Sequence, residues 1–92
     1  MLLITGSARP AEGARDHVIA AVRDMVEATR ADEGCIYYAF TASLDDDSIL
    51  STEVWTDRGA LEAHMNHNHT GQFIAGLDGA LAGEPVMNEI EL

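Results

Sequence analysis

The sequence predicts an α+β fold with the element order β-α-β-β-α-β, and three observations carry that reading. Apolar residues recur at helical spacing between Ala14 and about Arg30, and again beyond Asp57. Four shorter stretches, Leu2–Arg9, Cys35–Ala42, Ser48–Trp55 and Val86–Leu92, either alternate or are rich in β-branched and aromatic residues. Three successive aspartates, Asp45–Asp47, can only form a solvated turn, which makes the two middle strands an antiparallel hairpin. This order suggests the ferredoxin-like arrangement, in which two crossover units place both helices on one face of a four-stranded antiparallel sheet. Residues 1–92 are read as a single domain.

In the first strand Leu2, Ile4, Gly6 and Ala8 face one way and Leu3, Thr5, Ser7 and Arg9 the other, until Pro10 stops the ladder. The first helix presents Val18, Val22, Met25 and Thr29 to the core, while Arg15, Asp16, Arg23, Asp24, Glu27 and Arg30 take the wet side. Asp32-Glu33-Gly34 breaks it, because Gly34 can adopt the left-handed conformation that helix ends favour. After the strand from Cys35 and the acidic turn, Ile49, Ser51, Glu53 and Trp55 share one face of the next strand, with Leu50, Thr52 and Val54 on the other. Thr56 or Asp57 can cap the second helix, so the strand ends at about Trp55 and the helix follows at once. That helix shows Leu61, His64 and Met65 on one side. Asn66–Gly71, rich in Asn and His, predicts a bend before helical spacing resumes at Phe73, Ile74, Leu77 and Leu81. Val86, Asn88, Ile90 and Leu92 then alternate with Met87, Glu89 and Glu91 as the last strand.

The strand from Ile49 is half apolar on both sides, and Cys35–Ala42 adds aromatic side chains, so the helix-free sheet face is too apolar to leave in water. A second copy packed sheet to sheet would cover it. The expectation is a symmetric homodimer, a dimeric α+β barrel.

Composition narrows the partners. Sixteen acidic residues against five arginines give a formal net charge of −11, a field that repels phosphate backbones and anionic lipid, so neither nucleic acid nor a membrane surface is expected as a partner. The single Cys35 cannot form an internal disulfide, the apolar start Met1–Ile4 is too short for a signal peptide, and no stretch approaches a membrane span; the expected location is the cytoplasm. A Gly-rich phosphate loop, a dinucleotide fingerprint and a G-x-S-x-G nucleophile motif are all absent, and no cofactor is expected.

The chemistry is concentrated between Ser48 and Phe73, which carries the only Trp and three of the four His. His64 lies on the apolar face of its helix, one turn from Leu61, and so points toward the sheet. It is either a base, its unperturbed pKa of about 6.5 suiting neutral pH, or a core histidine bonded to a neighbouring strand. His69, in the bend, can line a pocket or hold the loop. Trp55, at a strand end beside the helix, suits the wall of a pocket for a planar aromatic ligand, with core packing as the alternative. Glu53 shares its face, and a carboxylate pointing inward must be paired or neutral. Tyr37 and Tyr38 alternate across the sheet, so one of them at most lines a given cavity, and that place is assigned to Tyr38. The spacings of His64, His67 and His69 could bring imidazoles together. A metal site draws a further ligand from elsewhere, however, and the sequence signals none, so no metal is expected.

Over essentially all 92 residues the chain resembles the antibiotic biosynthesis monooxygenase-like domains of the dimeric α+β barrel superfamily. The resemblance rests on E-G-C-I-Y-Y after the first helix, the acidic turn, E-V-W-T-D-R-G-A-L-E-A-H, a second His five residues beyond His64, and then Phe73. It implies a homodimer with a pocket in each subunit between sheet and helices. Some members of the family oxidise hydroquinones or anthrones with O₂ and neither metal nor flavin. The haem-degrading branch matches poorly, because His64 and Ile74 stand where that branch pairs an aromatic residue with a histidine. The function expected is a cofactor-independent monooxygenase acting on a small phenolic, quinol or anthrone-like compound, with His64 and His69 as catalytic residues and Trp55, Glu53, Phe73 and Tyr38 contacting substrate. The alternatives are a non-catalytic small-molecule-binding or stress-response dimer and an O₂-independent isomerase using the same pocket.

Overall fold

The alternating stretches fold as strands, and the helical spacing folds as helices up to Gly76. The structure, a computed structural model, describes residues 1–92 as β1 (Leu2–Ala8), α1 (Arg15–Thr29), β2 (Cys35–Ala42), β3 (Ile49–Trp55), α2 (Arg58–Met65), α3 (Asn68–Gly76) and β4 (Val86–Glu91). The strands form one antiparallel sheet in the order β2-β3-β1-β4, so both central strands are flanked by crossover units and the topology is ferredoxin-like. Leu2, Ile4, Tyr38 and Trp55 face the helices and pack with Met25 of α1 and Leu61 of α2. Ile49 packs with Val18 and Val22 in a second cluster further along α1. No helix is long and apolar enough to cross a membrane.

One irregularity decides which tyrosine is inside. The β2–β3 register slips between Cys35 and Tyr37, leaving Ile36 outside the ladder. Past that bulge Tyr38 pairs with Glu53 on the helix side and is buried, whereas Tyr37 is exposed on the other face. Cys35 packs against the core as a small apolar residue, and burial pushes its thiol pKa up.

The second helical region is two helices, with the break where the Asn- and His-rich stretch predicts a bend. Asp57 is the cap: its side chain accepts the Ala60 amide at 2.8 Å. At the joint the carbonyl of His64 is released from the helical ladder and accepts the His67 amide at 3.2 Å and the Thr70 hydroxyl at 2.6 Å. Helical spacing does not run on to Leu81, as the apolar positions suggest. The helix stops at Gly76, Gly79 turns the chain at φ 74°, and the segment after it bonds instead to the end of β1, Ala11 N–H to the Ala80 carbonyl and Ala82 N–H to that of Arg9. His17 of α1 bonds the Gly76 carbonyl at 2.7 Å and so ties α1 to the end of α3.

Candidate functional site

Between sheet and helices lies a cavity of about 950 Å³, the size of small-molecule sites in general. Tyr38, Glu53, His64 and Phe73 line it, with Met87 and Glu89 of β4 beside them. Its charged walls are acidic: Glu53, Asp78, Glu84 and Glu89 face it, and no arginine does.

His64 is 3% exposed and its ring lies 4.6 Å from that of Trp55, tilted by 34°. Its Nδ1 is 2.9 Å from Asp32 Oδ2. Since an ionised carboxylate only accepts, Nδ1 carries the proton, and the second ring nitrogen, Nε2, is left as the acceptor. Asp32 sits in the α1–β2 turn, 32 residues from His64 in sequence, with its side chain 7% exposed. The same Oδ2 accepts from Nε2 of His69 at 3.0 Å, and His67 Nε2 stands 3.6 Å from Oδ1. Burial works to raise the Asp32 pKa, but the hydrogen bonds from His64 and His69 together outweigh it and hold the carboxyl below its ordinary value.

The break between α2 and α3 is what allows this convergence. In an uninterrupted helix, residues five apart point about 140° away from each other, so His64 and His69 could not share one oxygen. The joint folds His69 back until the two rings are 6.1 Å apart. On the other side, Asp32 is held in place by its own turn. Its amide bonds the Thr29 carbonyl at 2.9 Å, Arg30 Nε donates to the Tyr38 carbonyl at 3.1 Å, and the Gly34 carbonyl takes the Thr56 amide at 2.9 Å. Gly34 has φ 82°, and a Cβ there would collide with the Ala60 side chain. Only glycine closes this turn without strain.

Of the two places open to Trp55, pocket wall or core, it takes the core. Trp55 is 0% exposed and does not line the cavity; its ring packs behind His64 and Tyr38, whose centroid is 6.5 Å away. The cause is its place at the end of a central strand, directly beneath α2. Its indole N–H donates to Glu53 Oε1 at 3.0 Å, so Glu53 is partnered by neither a histidine nor an arginine. Burial raises the Glu53 pKa, against the lowering effects of the Trp55 bond and nearby His64. Tyr38 and Phe73 line the cavity, and burial pushes the Tyr38 pKa up. His69 lies in the Asp32 cluster rather than at the cavity wall. Asp32 is the residue the sequence reading missed. The available signal was a requirement, since a histidine on an apolar helix face needs a partner, and Asp32 and Glu33 are the acids ending the adjacent helix.

Fold and site together define a small ferredoxin-like α+β protein with an apolar, acid-rimmed cavity and a histidine–carboxylate cluster that reaches its wall through His64. The chain belongs to the antibiotic biosynthesis monooxygenase family, whose model matches residues 1–76. In structure it is similar to Rv0793 of Mycobacterium tuberculosis, at a TM-score of 0.94 and 23% identity over 99% of this chain and 93% of that one. It is likewise similar to PA3566 of Pseudomonas aeruginosa, at 0.91 and 25% over 99% and 92%. An uncharacterized Synechocystis protein, sll1783, is 28% identical over 74 residues, 79% of this chain and 50% of that protein, so the chain spans half the length of this curated relative.

Proposed function

We propose that this protein is a cofactor-independent monooxygenase for a small, uncharged phenolic, quinol or anthrone-like compound, working as a cytoplasmic homodimer. The observation that carries the reading is the Asp32–His64 pair at the cavity wall. With Nδ1–H held by Asp32, the lone pair on Nε2 is available to take a proton from a substrate in the cavity. The resulting phenolate or enolate gives an electron to O₂ and recombines with it as a peroxide. For an anthrone-like carbon the balance closes without an external reductant. The CH₂ group becomes a carbonyl, one oxygen atom stays in the product, and the other leaves as water with the two hydrogens.

Glu53 supplies the complementary acid. With its pKa raised by burial, it is suited to protonate the departing oxygen while His64 serves as base. Four acidic groups and no arginine in the cavity wall favour a neutral substrate over a carboxylate or phosphate. A second copy is the simplest cover for the outer sheet face, where Tyr37 of β2, Leu50 of β3 and Val86 and Ile90 of β4 are exposed.

The test is O₂ uptake by the purified, metal-stripped protein with a panel of quinols, dihydroxynaphthalenes and anthrones against an autoxidation blank. Uptake above the blank is expected to fall in His64→Ala by about 10²–10⁴-fold, the usual contribution of a general base. Full activity in a folded His64→Ala removes His64 from the mechanism. A ligand that binds but is unchanged in air indicates a binding protein, and turnover without O₂ an isomerase. Light scattering that finds only monomer at micromolar concentration refutes the dimer.

A further inference from the structure

We propose that Asp32, His64 and His69, with His67 as a fourth ligand, form a binding site for a divalent first-row transition-metal ion of the Zn²⁺ type. The three groups come from separate elements, the α1–β2 turn, α2 and α3, and each offers one ligand atom, all within 4.8 Å of one another. Two imidazoles and a carboxylate suit Zn²⁺, Co²⁺, Ni²⁺ or Fe²⁺ and exclude Mg²⁺ and Ca²⁺, which take oxygen ligands. The further ligand that three closely spaced histidines require is therefore supplied by Asp32.

His67 is placed to complete the set. Its ring stacks on that of His69 with centroids 5.0 Å apart, its Nε2 is 3.6 Å from Asp32 Oδ1, and 46% of its side chain is exposed. The ion needs no net loss of protons from neutral imidazoles. On each ring the proton moves to the other nitrogen, and the lone pair so exposed takes the place of a hydrogen bond to the carboxylate. A net charge of −11 favours the approach of a cation. The backbone around the cluster is fixed by the Thr70 bond to the His64 carbonyl and by the turn at Asp32.

Asp32 and His69 do not line the cavity, so the ion lies behind its wall and does not touch a substrate there. Its effect on chemistry follows from the tautomer. Coordination at Nδ1 leaves the His64 proton on Nε2, and the ring can no longer accept one from the cavity side. The metal is an off-switch for His64. That consequence rests on the reading of His64 as base; the site itself does not.

The experiment is calorimetric titration of the metal-stripped full chain with Zn²⁺ near neutral pH, with Co²⁺ absorption as a check on ligand geometry. One ion per chain at micromolar affinity or tighter is expected, with binding weakened in His69→Gln and in Asp32→Asn by at least the ~10–100-fold that loss of even an outer-sphere partner costs. His17→Gln, remote from the cluster, should bind as the wild type does. Circular dichroism confirms that each variant is folded; if Asp32→Asn is not, His69→Gln decides, being a quarter exposed and outside the core. No one-to-one binding by the wild type, or undiminished binding in folded His69→Gln, overturns the proposal. Heat and spectrum are read without substrate, so failure of the oxygenase reading leaves this result standing, and the reverse holds as well.

Discussion

Truncating Asp32 to alanine should cost the fold two buried hydrogen bonds at once. Two hydrogen bonds to an ionised acceptor, at 2.9 and 3.0 Å from His64 and His69, contribute about 1.5–3 kcal/mol each. Part of that sum is offset because the variant no longer buries a charge. Asp32→Ala, which leaves two N–H donors without their acceptor, is expected to lose about 2–4 kcal/mol. Asp32→Asn keeps an oxygen where Oδ2 stands and should lose about 1 kcal/mol. The assay is urea unfolding followed by circular dichroism at a fixed chain concentration, since association would otherwise shift the midpoint. The pH dependence carries a sign. The folded pKa of Asp32 lies below its unfolded one, so its contribution is fully present above the ordinary carboxyl range and is lost as pH falls through the lowered value. The gap between wild type and Asp32→Asn should therefore close only in strongly acidic solution. A folded Asp32→Ala within about 0.5 kcal/mol of wild type, the range of ordinary surface substitutions, would refute this account of the cluster.

Glu53 runs the opposite way. Its folded pKa is raised, so the stability it contributes is present at low pH and lost as pH rises through that value; Glu53→Gln, which cannot ionise, should gain on wild type as pH rises above the ordinary carboxyl range. Parallel pH profiles for the two would show that Glu53 is not penalised by burial. Gly34→Ala combines left-handed strain with a collision against Ala60 and should destabilise by about 2–4 kcal/mol, seen as a lower urea midpoint at unchanged slope. A loss under about 1 kcal/mol would mean that the turn relaxes freely.

The elements were legible because their signals are local. Val18, Val22, Met25 and Thr29 repeat at helical spacing and are the four buried residues of α1. Ser51, Glu53 and Trp55 alternate with Leu50 and Thr52, as a strand covered on one side does. The bend at Asn66–Gly71 was legible as well, and so was the inward direction of His64. What the sequence did not disclose depends on register between distant segments. The bulge at Ile36 follows from how β2 meets β3, and Asp32 reads locally as no more than a helix stop. Whether Asp32 or Glu33 turns inward depends on the closure of the turn at Gly34 against Ala60. Trp55 was placed at the correct strand end but one layer too far out, because alternation gives the face and not the depth.

A single carboxylate oxygen holding two helices has a consequence for motion. Local opening of a small protein proceeds by cooperative units, each as stable as the contacts that tie it to the rest. His64 of α2 and His69 of α3 each bond Asp32 Oδ2, so both helices are tied to the α1–β2 turn at the same point. One acid outside the cavity thus fixes the position of the two helices that cover it.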